Sequence, residues 1–194
     1  MKKQPTREKL LDIAFEEVYV YGYSATSVDV ILKKANITKG SMYHHFKSKK
    51  SLVLAMVEER LFVKMDTFFK YEKEQNKTVY QSFRKTFVGI SRHKMLIEYG
   101  CPLYRLMVEM SVVDKEFDIL LTSKVIQMKE GIKQLLQIGI EIGEFSEELD
   151  TEAFAGFLLS GVWGILSLSP SLSSSKNFIT QSRYILKELE SYQN

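Results

Sequence analysis

The chain has 194 residues, 45% of them apolar, one cysteine and a net charge of +3. A chain of this length and apolar content can bury a core that is stable without disulfides or bound metal ions, and it is not a disordered polar chain. The single Cys101 excludes an internal disulfide, as is typical of the reducing cytoplasm. The start, MKKQPTREK, lacks the apolar stretch of a signal peptide, and the longest apolar run, 153–168, is too short to span a membrane. We therefore expect a cytoplasmic protein with no membrane partner.

The positive charge lies at one end of the chain. Residues 1–50 carry ten Lys or Arg against five Asp or Glu, a net charge of +5, whereas the other 144 residues carry 17 against 19. A basic head on a nearly neutral body is typical of nucleic-acid binding, although solvated lysines can also cluster by chance.

Apolar residues recur at helical spacing throughout, which predicts an all-α fold of about nine helices. The first helix is predicted near residues 6–21, with Gly22 at its C-terminal turn. Ser27, Thr38 and Ser48 are the expected N-caps of the next three helices. The fourth helix is long, and its inward face is predicted to hold Leu52, Met56, Val57, Leu61, Met65 and Phe68.

Five further helices complete the prediction. Their apolar positions lie near 79–90, from Pro102 onward, over 117–143, over 150–169 and beyond the serine-rich loop 171–176. The run 153–168 is interpreted as a buried helix. The expected division is a head of residues 1–47 and a body of residues 48–194, joined by the fourth helix.

Residues 27–49 carry the most informative pattern. Val28, Ile31 and Leu32 form one apolar seam and Ile37, Met42 and Phe46 a second, so two short helices can pack around a tight turn while polar residues face outward. This arrangement predicts a helix-turn-helix that reads double-stranded DNA. The candidate DNA-binding residues are Ser27, Thr38, Lys39, Gly40, Ser41, Tyr43, His44, Lys47 and Lys49.

Each candidate has a chemical reason. Lys39 and Ser41 lie in the first turn of the second helix, where side chains reach base edges, and Tyr43 and His44 suit a phosphate or a thymine methyl group. Ser27 and Thr38 can hold phosphates at helix N-termini. Lys47, Lys49 and Lys50 would neutralise flanking phosphates. Gly40 weakens a helix by about 1 kcal/mol, which fits a close approach of the backbone to DNA.

This segment resembles the TetR family of bacterial transcriptional regulators. The resemblance lies in Thr26-Ser27-Val28, in the run from Ala35 to Phe46 (ANITKGSMYHHF), and in Ser48-Lys49 with Leu52. Asn36 stands where the family more often has Gly. A weaker similarity to one branch of the family begins at Gly100-Cys101-Pro102-Leu103.

The resemblance implies a symmetric homodimer, an effector pocket among the middle helices and a dimer interface on the last two. Large adaptable side chains that could line such a pocket, or simply pack the core, are Phe62, Phe83, Phe87, Tyr99, Tyr104, Met107, Met128 and Trp163. The small residues Gly156, Ser160 and Gly164 recur every four residues and are the candidate dimer face, with packing inside one chain as the alternative.

The remaining residues with reactive side chains do not form a recognisable catalytic or metal-binding motif. The three histidines show no metal-ligand spacing, Cys101 reads as a turn residue rather than a redox sensor, and no nucleophile or phosphate-loop motif is present. No enzyme activity and no cofactor are expected. The resemblance to the TetR family implies a repressor that leaves a palindromic operator when it binds a small, largely apolar molecule. The alternatives are a ligand-independent regulator or activator, and a helical small-molecule-binding protein or enzyme.

Overall fold

The computed structural model describes residues 5–66, 78–168, 172 and 174–194, and this part is helical. In chain order the helices are α1 (Thr6–Ala25), α2 (Val28–Ala35), α3 (Lys39–His45), α4 (Lys49–Met56), a π-helical segment (Val57–Phe62), α5 (Val63–Met65), α6 (Val79–Arg92), α7 (Lys94–Tyr99), α8 (Pro102–Met110), α9 (Lys115–Glu141), α10 (Thr151–Ser167) and α11 (Ser175–Glu190). Within the described residues, extended pairing is limited to a single bridge between Phe145 and Gln193. The all-α prediction is confirmed.

The chain forms two compact units, the first made of residues up to 65 with 102–121, the second of 66–101 with 122–194. In the first unit α1 packs on α2, α3, α4, the π-helical segment and α8. This unit is larger than the predicted head of residues 1–47, because α4 and α8 bury apolar surface against α1. The functional division at residue 47 stays a prediction.

Several local predictions can be compared with the structure. Ser27, Thr38 and Ser48 are the N-caps of α2, α3 and α4. Gly22, with a φ of +83° and a ψ of 172°, breaks α1 where the predicted helix ends near residue 21, and a short second helical stretch follows to Ala25. The fourth helix is not α-helical throughout, because residues Val57–Phe62 are π-helical. Its predicted inward residues are buried, except Phe68, which lies outside the described residues.

In the second unit α11 packs on both α6 and α10. Phe87 of α6 and Phe178 of α11 make an edge-to-face ring contact with centroids 6.3 Å apart. A Cβ atom on Gly161 of α10 would lie 2.8 Å from Cδ1 of Ile185, so the glycine permits close packing of α10 on α11. The prediction that 153–168 is a buried helix is wrong for one face, because Phe157 and Leu168 are about half exposed, at 50% and 53%. None of the described helices is long and apolar enough to cross a membrane.

Candidate DNA-binding interface

The two helices of the motif pack as the apolar seams predict. Ile31 and Leu32 of α2 are buried, as are Met42 and Phe46 of the α3 region. Between the helices Asn36 adopts the left-handed conformation (φ +50°, ψ +51°), and its backbone N–H donates to carbonyls of the last turn of α2. Asn tolerates this conformation better than most residues, so it can replace the glycine common in the family. The left-handed residue Asn36 thus ends α2 and leads the chain into α3 through a tight turn.

Hydroxyl groups cap both helices at the surface expected to meet phosphates. Ser27 Oγ accepts a hydrogen bond from Val30 N at 3.2 Å, and Thr38 Oγ1 accepts one from Ser41 N at 3.3 Å. Each hydroxyl keeps a proton that it can donate to a phosphate oxygen. The exposed caps thus combine local stabilisation with the ability to bind an anion at a helix N-terminus.

The outward face of α3 presents a mixed set of polar groups. Lys39, Gly40, Tyr43 and His44 are exposed, Tyr43 by 47%, and Ser41 is partly exposed. A Cβ atom on Gly40 would meet nothing within 4 Å in the chain. Packing within the protein therefore gives no reason for glycine at this position. The face offers donors, acceptors and an aromatic ring on a helix of major-groove width.

The lysines after α3 differ in their surroundings. Lys47 is exposed, whereas the ammonium of Lys49 lies 4.3 Å from the ring centroid of Tyr23. Burial lowers the pKa of Lys49, and the nearby charge of Glu109 acts in the opposite direction. Lys50 forms ion pairs with Asp114 at 2.7 Å and Glu116 at 2.8 Å. The expectation that Lys50 serves flanking phosphates is therefore corrected: carboxylates in its own chain neutralise it.

Two ion pairs that the sequence did not predict stabilise the packing of the helix-turn-helix. Arg7 of α1 donates two hydrogen bonds to the carboxylate of Glu59, and its guanidinium stacks 5.4 Å from the ring centroid of Phe46. The hydrogen bond to Glu59 raises the pKa of Arg7 and, reciprocally, lowers that of Glu59. Lys34 of α2 reaches the buried carboxylate of Glu17. Because the partners of each pair are 17 or 52 residues apart, no local pattern identifies them.

Helix α8 holds the broken end of α1. Arg105 Nη1 donates to the carbonyl of Tyr19 at 2.7 Å, and the carboxylate of Glu109 accepts the backbone N–H groups of Tyr23 at 2.8 Å and Ser24 at 2.6 Å. Burial raises the pKa of Glu109, but these hydrogen bonds and Lys49 together bring it below its ordinary value. The two side chains of α8 thereby satisfy carbonyls and amides that the break at Gly22 leaves without helical partners.

Comparison with known proteins identifies the family. Residues 10–56 match the family model described as bacterial regulatory proteins, tetR family, and residues 81–181 match the tetracyclin repressor-like C-terminal domain. The HTH-type transcriptional repressor KstR2 of Mycolicibacterium smegmatis is 30% identical over 165 residues, which cover 81% of this chain and 76% of the relative. The chain belongs to the TetR family. It is a helix-turn-helix transcriptional regulator.

Other relatives of this TetR-family protein agree. An uncharacterized HTH-type regulator of Lactococcus lactis subsp. lactis is 29% identical over 114 residues, so the match spans 58% of each chain. The crystal structure of a TetR transcriptional regulator from Chloroflexus aurantiacus has a TM-score of 0.84 with 22% identity and covers 97% of this chain and 96% of its own. At that identity the structural match supports the fold alone.

The residues predicted for an effector pocket are divided between the two units of this TetR-family protein. Phe62, Tyr104 and Met107 belong to the first unit and are partly exposed. In the second unit, Phe83, Phe87 and Met128 are buried, whereas Tyr99 and Trp163 are partly exposed. Phe87 packs on α11, as the core-packing alternative predicts. The assignment of these eight residues to a pocket stays a prediction.

The candidate dimer residues lie on one side of α10. Ser160 and Gly164 are exposed, and a Cβ atom on Gly164 would meet nothing within 4 Å, whereas one on Gly156 would lie 3.6 Å from Cε of Lys129. Gly161, rather than the predicted residues, permits close packing within the chain. Near the start of α10 is an open cavity of about 360 Å³, lined by Leu149, Asp150, Ala153, Phe154, Phe157, Glu188 and Tyr192. Sequence analysis did not identify this cavity.

Proposed function

We propose that this TetR-family regulator represses transcription as a homodimer on a palindromic operator and that a small, largely apolar molecule releases it. The observation that carries the proposal is the exposed polar face of α3 around Gly40, where the chain itself leaves the space open. A helix with this face is suited to a major groove, with Lys39 and Ser41 nearest the base edges. Ser27, Thr38 and Lys47 would hold the flanking phosphates.

The homodimer follows from the geometry of the operator. Two recognition helices must lie about 34–36 Å apart to enter successive major grooves of one DNA face. A two-fold symmetric dimer supplies that spacing and binds a site of matching symmetry. The exposed, uncharged side of α10 supports an interface there.

Release by an effector requires a second conformation. A ligand that binds better to a state with another spacing of the recognition helices weakens operator binding by its difference in affinity for the two states. The aromatic and methionine residues at 62, 83, 87, 99, 104, 107, 128 and 163 support an apolar ligand. The name of the Mycolicibacterium smegmatis relative, a repressor, supports repression over activation.

The decisive experiment captures genomic DNA fragments with the purified protein, maps the bound sites by footprinting and measures affinity against salt. We expect inverted repeats, and we expect Lys39→Ala and Tyr43→Ala each to weaken binding to them by roughly 10-fold or more. Lys176→Ala on α11 is the matched control, because it also removes one exposed lysine.

The outcomes separate the alternatives. Unchanged affinity in both α3 variants would reject the DNA-reading role and favour a small-molecule-binding protein or enzyme. Binding that no apolar compound in a screen releases would favour a ligand-independent regulator. Raised transcription from a bound promoter would identify an activator.

A further inference from the structure

One exposed face of α10 carries no charge. Its residues recur at intervals of three or four, which places them on one side of the helix opposite the buried core. No charged residue occurs between residues 153 and 168. An uncharged exposed face with two large apolar side chains is typical of a surface that a partner covers. The face consists of Ala153, Phe157, Ser160 and Gly164 of α10 together with Leu168, the residue that directly follows this helix.

The order of side-chain sizes along this face is self-complementary. Pairing two copies of α10 antiparallel around a two-fold axis near Ser160 places Phe157 opposite Gly164 of the second copy. The same pairing places Leu168 opposite Ala153. Each large side chain then meets a small one, as close packing requires. A parallel pairing would instead place Phe157 on Phe157 and leave both copies of Gly164 facing a gap.

The cavity near the start of α10 lies at the position that Leu168 of the second copy would reach in the antiparallel pairing. Ala153 and Phe157 belong both to the uncharged face and to the cavity lining. Phe154, Phe157 and Tyr192 give it an aromatic wall, with edge-to-face contacts from Phe154 to both other rings. Leu168 of the second copy, arriving opposite Ala153, would enter this apolar cavity.

We propose that two copies of the chain pair α10 antiparallel, with Leu168 of each copy seated in the Ala153–Phe157 cavity of the other. This inference rests on the proposed homodimer and assigns its register and its anchor residue. An isologous interface uses each contact twice, so every dimer contains two such leucine sockets.

Charge substitutions test the socket, because Asp150 and Glu188 lie in the cavity lining. Leu168→Glu would place a third carboxylate beside them, and we expect the dissociation constant of the dimer to rise roughly 100-fold. Leu168→Arg is the matched control, since it removes the same leucine but brings an opposite charge, and we expect a rise of less than about 10-fold. Glu188→Lys combined with Leu168→Glu should restore much of the affinity. Analytical ultracentrifugation measures all four proteins.

Disulfide cross-linking tests the register. In a Cys101→Ser background, Ala153→Cys and Leu168→Cys are prepared separately with tags of different mass, mixed and oxidised. The antiparallel register predicts a cross-link only between the two variants, because two copies of residue 168 would be roughly 22 Å apart along the helices. Circular dichroism confirms that each variant is folded.

Two results would overturn the proposal. Cross-linking of each variant with itself would demonstrate parallel pairing, and equal effects of Leu168→Glu and Leu168→Arg on a persisting dimer would exclude the socket. In both cases the homodimer of the proposed function survives. A wild-type protein that sediments as a monomer would instead contradict the homodimer itself, and operator binding would show whether the regulatory role stands without it.

Discussion

At the scale of single residues, Gly40 separates the demands of folding from those of DNA binding. Its Cβ position is open, so alanine fits the folded chain. Gly40→Ala should raise the free energy of unfolding by about 0.5–1 kcal/mol, because alanine loses less backbone entropy in a helix. It should lower operator affinity at the same time, since a methyl group would stand between α3 and the DNA. Thermal unfolding and DNA titration on one preparation measure both effects.

Gly89 supplies the control for this substitution. It also lies within a helix, α6, and its Cβ position is likewise open. Gly89→Ala should stabilise the fold without changing operator affinity. If Gly40→Ala bound DNA as tightly as the wild type, close approach of the backbone would not explain the glycine.

Lys47 and Lys50 provide a second comparison, between an exposed lysine and one paired in its own chain. Removing a lysine from a phosphate contact lowers the slope of log K against log salt by about 0.9 per contact, or about 1.8 per dimer. We expect this change for Lys47→Ala. Lys50→Ala should leave the slope nearly unchanged, because Asp114 and Glu116 already neutralise its charge. Equal slopes for the two variants would contradict the assignment.

These residues also mark how far sequence reasoning reaches. The N-caps Ser27, Thr38 and Ser48 could be predicted, because a cap acts on backbone groups two or three residues away. The surroundings of Lys49 and Lys50 could not, because their partners are Tyr23 and the start of α9, which only the folded chain brings close. The candidate DNA-binding residues could be predicted from the local sequence pattern. The ion pairs around them could not, because they join residues that are distant in the chain.

At the scale of elements, α8 is the support of α1 that sequence analysis did not foresee. The contact depends on Glu109, whose carboxylate accepts two backbone N–H groups at the break in α1. Glu109→Gln removes the charge and replaces one of the two accepting oxygens with an NH2 donor, so one hydrogen bond is lost and the other is weakened. The free energy of unfolding should fall by about 1–3 kcal/mol at pH 7. Chemical denaturation measures this value, with the exposed Glu98→Gln of α7 as the control.

The same variant predicts a pH dependence. The pKa of Glu109 in the folded protein is lowered below 4.5, so its contribution to stability is complete above that pH and is lost as the pH falls through the folded value. The stability gap between wild type and Glu109→Gln should therefore be largest above pH 5 and shrink under acidic conditions. Asp114 and Glu59, whose pKa values are also lowered, add an acid-sensitive contribution that both proteins share. A gap that widens on acidification would contradict this role of Glu109.

The long fourth helix shows a further limit of periodicity. Its buried residues Leu52, Met56, Leu61 and Met65 follow the predicted inward face. The spacing of apolar residues did not distinguish α-helix from the π-helical segment Val57–Phe62, because both bury one face and their backbone hydrogen bonds differ in span by only one residue. Arg60, within this segment, pairs with Asp12 and Glu8 of α1. The partners of these ion pairs are 48 and 52 residues apart in the chain, so a local sequence pattern does not reveal them.

At the scale of the whole molecule, the dimer determines which stability is measured. Unfolding that is coupled to dissociation makes the melting temperature depend on protein concentration. Each tenfold increase in concentration should stabilise the wild-type dimer by about 1.4 kcal/mol. Leu168→Glu should melt at the same temperature across the range in which it is monomeric, whereas Leu168→Arg should keep the wild-type trend. Calorimetry over a 100-fold concentration range tests this. A wild-type melting temperature that stays constant while the protein sediments as a dimer would mean that the subunits unfold without separating, and it would remove the α10 face as a source of stability.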